Sequence, residues 1–483
     1  MLRLLAVIVV LTLVLPSVLR AQELRDWLVG DDSGVSMASD FLDSQNASIH
    51  PVLLFGYDLD DIYRERHGDK VWTNVQGAGK FLSLTVPIQA GQLRPQFRLS
   101  LRSSRLTADF HPADDQEANF QSNNEIVGLN YEMQLGKALR VGGEMSHSAD
   151  GPQNMLSYGG TMGFHLPNDA WFALKAGSWS SWEYLQFSIP GIGGVVPLDY
   201  QKRGAEVFCK FPVSSLTVEF HAVRASLSGI PDVRRDVNTQ FLPSGTFDEF
   251  KSAVTIPLAD SWRSVLSFHR RRIVGDARFV SRYVSYGNLN GFSYEELNYR
   301  ISLCHSFLVR SYVVADIQYR TLTCAASGYG ESWPFQSIFE SLVTLREFFR
   351  ASGSIRFWKT HFGTSVPAGE LFDVRLSGSY ISLVPKFEYQ SWEPKFLVFG
   401  VQNYGQRTLS IRRADALVLS AGIGVSVADL RIEYSIDQVV PLHIDRTDRS
   451  SEVSDGVGGG VENPAGVSVD GGRFHRITFA CVL

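Results

Sequence analysis

Apolar and polar side chains take turns along this chain from about residue 80 to residue 483. In 95–102, Phe97, Leu99 and Leu101 alternate with Gln96, Arg98, Ser100 and Arg102. In 294–304, Leu297, Tyr299, Ile301 and Leu303 alternate with Glu296, Asn298, Arg300 and Ser302. Asp316, Gln318 and Arg320 oppose Val313, Ala315, Ile317 and Tyr319. The same holds in 372–380, with Phe372, Val374, Leu376 and Tyr380 against Asp373, Arg375, Ser377 and Ser379. It holds again in 430–437, with Leu430, Ile432, Tyr434 and Ile436 against Arg431, Glu433, Ser435 and Asp437. A period of two is the geometry of an extended strand, whose successive Cβ atoms point to opposite faces. Each segment therefore needs one apolar and one wet surrounding. No stretch of helical period is visible that would cover so many apolar faces.

Short breaks join the segments in pairs, near 89–93, 136–137, 167–169, 212–214, 258–261, 307–309, 348–350, 384–385 and 428–429. Longer and more polar stretches separate the pairs, at 107–124, 190–202, 228–245, 275–293 and 443–472. Short connections at one end and long ones at the other describe an up-and-down antiparallel sheet. Nineteen segments lie between residues 80 and 483, and 49–57 supplies a partner for 80–88. That makes twenty strands. With 49–88 set apart as a preface the count is eighteen, and both numbers are even, as closure of a single-chain bacterial barrel usually requires.

The charges decide what the polar face meets. Arg98, Arg102, Glu132, Glu144, Lys175, Glu206, Glu219, Arg263, Arg300, Asp316, Arg375, Arg431 and Glu433 all stand on it, too many for a packed core. Aromatic residues fall near strand ends, at Tyr131, Trp171, Trp179, Trp262, Tyr299, Tyr319, Trp358, Tyr389, Trp392 and Tyr434. Such rings collect at membrane–water interfaces. The last segment alternates Ile477, Phe479, Cys481 and Leu483 with Arg476, Thr478, Ala480 and Val482. This pattern resembles the bacterial outer-membrane β-barrels of the porin-like class, although Leu483 stands where those chains more often end on an aromatic residue. The resemblance is one of pattern over 80–483 and includes no family-specific motif. It implies an all-β, transmembrane up-and-down antiparallel barrel of 18–20 strands, with short periplasmic turns and longer external loops. It further implies a setting of outer-membrane lipid and lipopolysaccharide, and assembly-machinery recognition through the C-terminal strand.

Residues 1–21 carry Arg3, an apolar run from Leu4 to Leu15, Pro16 and a small residue, Ala21, at the expected cut. That is the layout of a signal peptide for Sec-type export. The expected organisation is a leader at 1–21, a short periplasmic preface at 22–48, and the barrel at 49–483, with its first one or two strands, 49–88, open. The four cysteines show no metal or haem spacing, and the eleven histidines form no HExxH motif. A net charge of −5 argues against nucleic acid as a partner. Neither a cofactor nor a metal is expected. His221, close to Glu219, reads as a wall histidine rather than a catalytic base, and the chain is not expected to be an enzyme.

Among the basic residues, 35 are Arg and 10 are Lys. A guanidinium keeps its charge and offers a planar fork of donors to carboxylate or phosphate. The expected pore lining is Arg98, Arg102, Glu132, Lys175, Glu219, Arg263, Arg300, Asp316, Arg375, Arg431 and Glu433. The same residues also suit plain cross-strand ion pairing along a wet wall. The expected function is an outer-membrane channel for passive diffusion of small polar or anionic solutes. The alternatives are a structural or secretion-accessory barrel that binds a partner, and an exporter of an acidic polysaccharide.

Overall fold

The computed structural model describes residues 51–483 apart from 68–69, 89–92, 114–115, 136–137, 149–154, 167–169, 182–183, 190–191, 198–199, 230–238, 260, 282–284, 309–310, 333–344, 395–400, 448–466 and 471. The expected leader, the preface and most of 443–472 lie outside the described residues. The chain forms β1 (Val52–His67), β2 (Lys70–Pro87), β3 (Leu93–Ala113), β4 (Gln116–Leu135), β5 (Leu139–Ser148), β6 (Met155–His165) and β7 (Trp171–Ser181). There follow β8 (Tyr184–Ile189), β9 (Ile192–Pro197), β10 (Tyr200–Val213), β11 (Leu216–Gly229), β12 (Thr239–Ala259), β13 (Trp262–Ser281) and β14 (Ser285–Leu308). The last seven are β15 (Ser311–Ser332), β16 (Leu345–Pro367), β17 (Phe372–Pro394), β18 (Val401–Val427), β19 (Leu430–Thr447), β20 (Val467–Asp470) and β21 (Arg473–Val482).

Neighbouring strands are antiparallel throughout. β1 to β7 follow in order, and β7 pairs with β10. β10 to β19 again follow in order, β19 pairs with β21, and β21 returns to β1. The result is a closed antiparallel barrel of 18 strands. Closure leaves the ring itself without an edge, which is what lipid demands of a sheet. At the seam, Val52↔Val482 to Asp61↔Arg473 are paired, and Arg476 holds Asp58 through Nε–Oδ1 2.6 Å and Nη2–Oδ2 3.4 Å. The hairpin β8–β9 stands outside the ring and pairs with the outer part of β4, Asn119↔Ser188 to Asn123↔Tyr184. It continues the wall above β5, β6 and β7, which have only 10 or 11 residues each.

Both β1 and β2 belong to the ring, yet the count is eighteen rather than twenty. The short breaks expected at 348–350 and 384–385 lie inside β16 and β17. Those two strands stay paired from Phe348↔Trp392 to Pro367↔Asp373, and their connection is 368–371. Strands of 23 residues are more than twice what a bilayer crossing needs, so the wall projects beyond the membrane at its external end. Pro385 is tolerated there because pairing with β18 is interrupted between Leu383 and Lys386. The connection 368–371 turns on Gly369, whose φ is +92° and whose missing Cβ would meet open space. Gly369→Ala is therefore expected to destabilise by about 1 kcal/mol through backbone strain alone. A urea titration of the refolded barrel checks this, with an unchanged midpoint as the contrary result.

The two faces separate as the alternation requires. Outward residues include Leu99, Leu129, Ile301, Ile317, Phe362, Leu376, Leu419 and Ile423, all well exposed. A row of rings crosses adjacent strands on this face: Phe220, Phe250, Phe268, Tyr299, Tyr319 and Trp358, with centroids 4.4 to 6.5 Å apart. Just beyond it the outward positions become charged, with Arg224–Asp248 at 3.7 Å and Arg270–Glu295 at 2.7 Å. Arg356 follows Trp358 in the same sense. Rings below charges are the profile of a bilayer's outer interface. Trp262, stacked on His305 at 4.2 Å, stands at the short-turn end.

Two of the expected girdle residues instead point inward. Trp171 lies edge-on to Phe208 at 5.0 Å, and Trp179 gives its indole N–H to Glu144 at 2.5 Å. Their alternation phase is that of Lys175, so the ring type alone misassigned them. The side chains of Tyr389 and Trp392 lie outside the described residues.

Candidate functional site

A closed barrel has nothing outside it to cover a charge, so charged side chains that are nearly inaccessible must stand on the concave wall. Glu296 is 1 % exposed, Arg431 3 %, Asp373 3 %, Lys359 5 % and Asp316 6 %. Each shares its phase with the polar set read from the sequence.

Most of the expected lining residues are paired there. Near the short turns, Arg431 reaches Asp373 Oδ2 at 2.9 Å, Glu433 Oε1 at 2.8 Å and Ser426 Oγ at 2.7 Å. Glu132 meets Arg140 at 3.3 Å, and Glu219 meets Lys210 at 2.7 Å. Further along, Lys175 meets Glu144 at 2.7 Å and Arg300 meets Asp316 at 3.1 Å. Arg98 donates from Nε to Thr85 Oγ1 at 3.3 Å. Arg98, Arg102 and Arg263 are exposed to the lumen, and Arg375 is half-buried. Arg263 has no acidic partner among the described residues; its cross-strand neighbours are Pro257 and Cys304.

The densest network was missed as a unit by the sequence reading. Glu249 of β12 holds His269 at 2.8 Å, Lys251 at 3.2 Å and Arg271 at 3.4 Å. Arg271 of β13 reaches on to Glu296 of β14 at 3.9 Å, which is bound in turn by Arg320 of β15 and by the Tyr294 hydroxyl at 2.9 Å. His269 and Arg271 belong to the basic run 269–272, which lies inside β13 with Arg270 and Arg272 outward. Alternation marks which residues face inward, but strand register decides which of them meet.

Two further features lie on the same wall. His361 Nδ1 shares a hydrogen bond of 2.8 Å with Ser379 Oγ, and Asp316 is the cross-strand partner of His361. The residue types are those of acyl transfer. However, Ser379 is 4 % exposed and Asp316 is engaged by Arg300, so the trio ties three strands together. His221 sits 3.5 Å from Glu206 Oε2 rather than on Glu219. Above the trio, Phe357, Ile381, Val418, Val439 and Phe474 form an apolar band across β16 to β21, with Val75, Leu383 and Ala416 packed against it. Nothing in the alternation flagged this band, because its residues occupy polar-phase positions.

Among the described residues no group of three or more His, Cys, Asp or Glu is placed to hold a metal ion. No protein-family model matches the chain, and no curated sequence is similar to it. Solved structures similar to it include the toluene transporter TodX of P. putida, at 11 % identity and TM-score 0.35, covering 90 % of each chain. A FadL homologue of Pseudomonas aeruginosa shows 11 % identity and TM-score 0.31, again over 90 % of each. OmpT, an outer membrane protein of Vibrio cholerae, shows 7 % identity and TM-score 0.34, over 82 % of this chain and 99 % of that one.

Proposed function

We propose that this barrel sits in the bacterial outer membrane and conducts small polar solutes by passive diffusion, with a preference for anions. The observation that carries the reading is the lining. Charged side chains run along the concave wall from the short-turn end upward, and 18 strands are enough to enclose an aqueous path. Most of these charges are neutralised in pairs, which makes the wall wet without a strong field. The exception supplies the selectivity. Arg98 and Arg263 stand close to the short-turn mouth, Arg98 donating to Thr85 Oγ1 and Arg263 lying between Pro257 and Cys304, whereas Arg431 is fully committed to Asp373 and Glu433. Such guanidinium groups attract anions and hold back cations.

The test is single-channel current of the refolded protein in a planar bilayer, with ion selectivity from the reversal potential in a salt gradient. Steady steps with anion preference are expected. Arg98→Ala combined with Arg263→Ala is expected to lower the anion-to-cation permeability ratio about twofold or more. No current from inserted, folded protein overturns the reading.

A further inference from the structure

A recess of about 300 Å³ opens in the inner wall across β4 to β7, β10 and β11, lined by Asn130, Glu144, Ser146, Ser157, Lys175, Trp179, Lys202, Glu206, Val223 and Ala225. All ten share the inward phase of their strands, so the recess opens on the lumen. Its floor is thin because Gly159, Gly177 and Gly204 stand at inward positions without side chains. At Gly177 an added Cβ would lie 2.7 Å from Gly159 Cα, so the strands are close and nothing larger fits. The volume is at the lower end of small-molecule sites.

The chemistry of the lining selects a ligand class. Its charges balance one another, Glu144 and Glu206 against Lys175 and Lys202. Glu144 takes both the Lys175 ammonium at 2.7 Å and the Trp179 N–H at 2.5 Å, and Glu206 lies 3.5 Å from His221. Lys202 stands 4.5 Å over the Phe247 ring. An ionic ligand would have to break these pairs. A hydroxyl does not, because it donates to a carboxylate while accepting from an ammonium or amide. Carboxylates, ammoniums, Asn130, Ser146 and Ser157 therefore alternate as acceptors and donors for a set of neighbouring hydroxyls. Trp179 adds a flat apolar surface beside them, and Val223 and Ala225 add an apolar edge.

We propose that this recess binds a neutral polyhydroxylated solute of one or two sugar rings during its passage through the lumen. The proposal deepens the channel reading by naming a solute class, but binding itself does not require that the channel conduct.

The experiment uses the full-length protein, folded in detergent micelles, with maltose as the probe. Titration calorimetry and tryptophan fluorescence report binding, and maltose block of ion current reports it in the bilayer. Weak, saturable binding is expected. Glu144→Gln and Trp179→Phe are each expected to weaken it, the former about tenfold, the loss of a charge-assisted hydrogen bond. Glu144→Gln preserves shape and keeps the test open if Trp179→Phe fails to fold. Absence of binding by maltose, sucrose and glucose overturns the proposal. So does equal binding by the wild type and both variants, or saturable binding of glucuronate where the neutral sugars fail. Binding without conductance upholds this inference and sinks the channel reading. Conductance without binding does the reverse.

Discussion

Arg431→Met is expected to cost about 3–5 kcal/mol of barrel stability, the usual consequence of leaving buried charge unpaired. Arg431 and Asp373 have side chains 4 % and 5 % exposed, and Glu433 is 16 % exposed. Removing the guanidinium leaves two carboxylates on the same stretch of wall, with only a thioether between them. Desolvation and mutual repulsion then act in one direction. The triple variant Arg431→Met, Asp373→Asn, Glu433→Gln is expected to recover a large part of the loss, because no net charge remains buried. The measurement is urea-induced unfolding in lipid vesicles followed by tryptophan fluorescence. A single variant as stable as the wild type would show that water reaches this pair freely.

The outer face yields the second large effect, and it depends on depth. Ile317 is 52 % exposed inside the apolar belt, on the membrane side of Tyr319. Ile317→Arg is expected to destabilise by about 2 kcal/mol or more, the cost of a cation on a lipid-facing strand inside the belt. Thr323 lies on the same face of β15, beyond the ring row and opposite Glu295. Thr323→Arg is expected to change stability by only about 0–1 kcal/mol. Equal effects of the two substitutions in vesicles would mean that the belt has been placed wrongly. In that case the aromatic row from Phe220 to Trp358 does not mark the membrane boundary.

The run of alternation determined by itself that this chain folds as strands with two unlike faces, and it sorted residues onto those faces with few errors. Arg300 and Asp316, which pair with each other, alternate along their strands with the outward Ile301 and Ile317. Tyr299, Tyr319 and Trp358 take the lipid phase, as read. The reason is that a period of two is a local property, carried by each strand without reference to its neighbours.

What depends on neighbours was decided only by the tertiary structure. Strand ends were misplaced at 348–350 and 384–385, because hydrophobicity marks where a strand leaves the membrane and β16 and β17 run on beyond it. The true turn at 368–371 is encoded mainly by Gly369, one glycine among 42. Ion-pair partners depend on register, so Glu249, Arg271, Glu296 and Arg320 became one network only once β12 to β15 were aligned. Trp179 followed its phase rather than its ring type, and that turned a girdle residue into a wall of the recess. The apolar band around Phe474 likewise exists only because six strands bring single residues to one height. Alternation states which way a side chain points. Only the closed ring, by fixing register all the way round, states what it meets there.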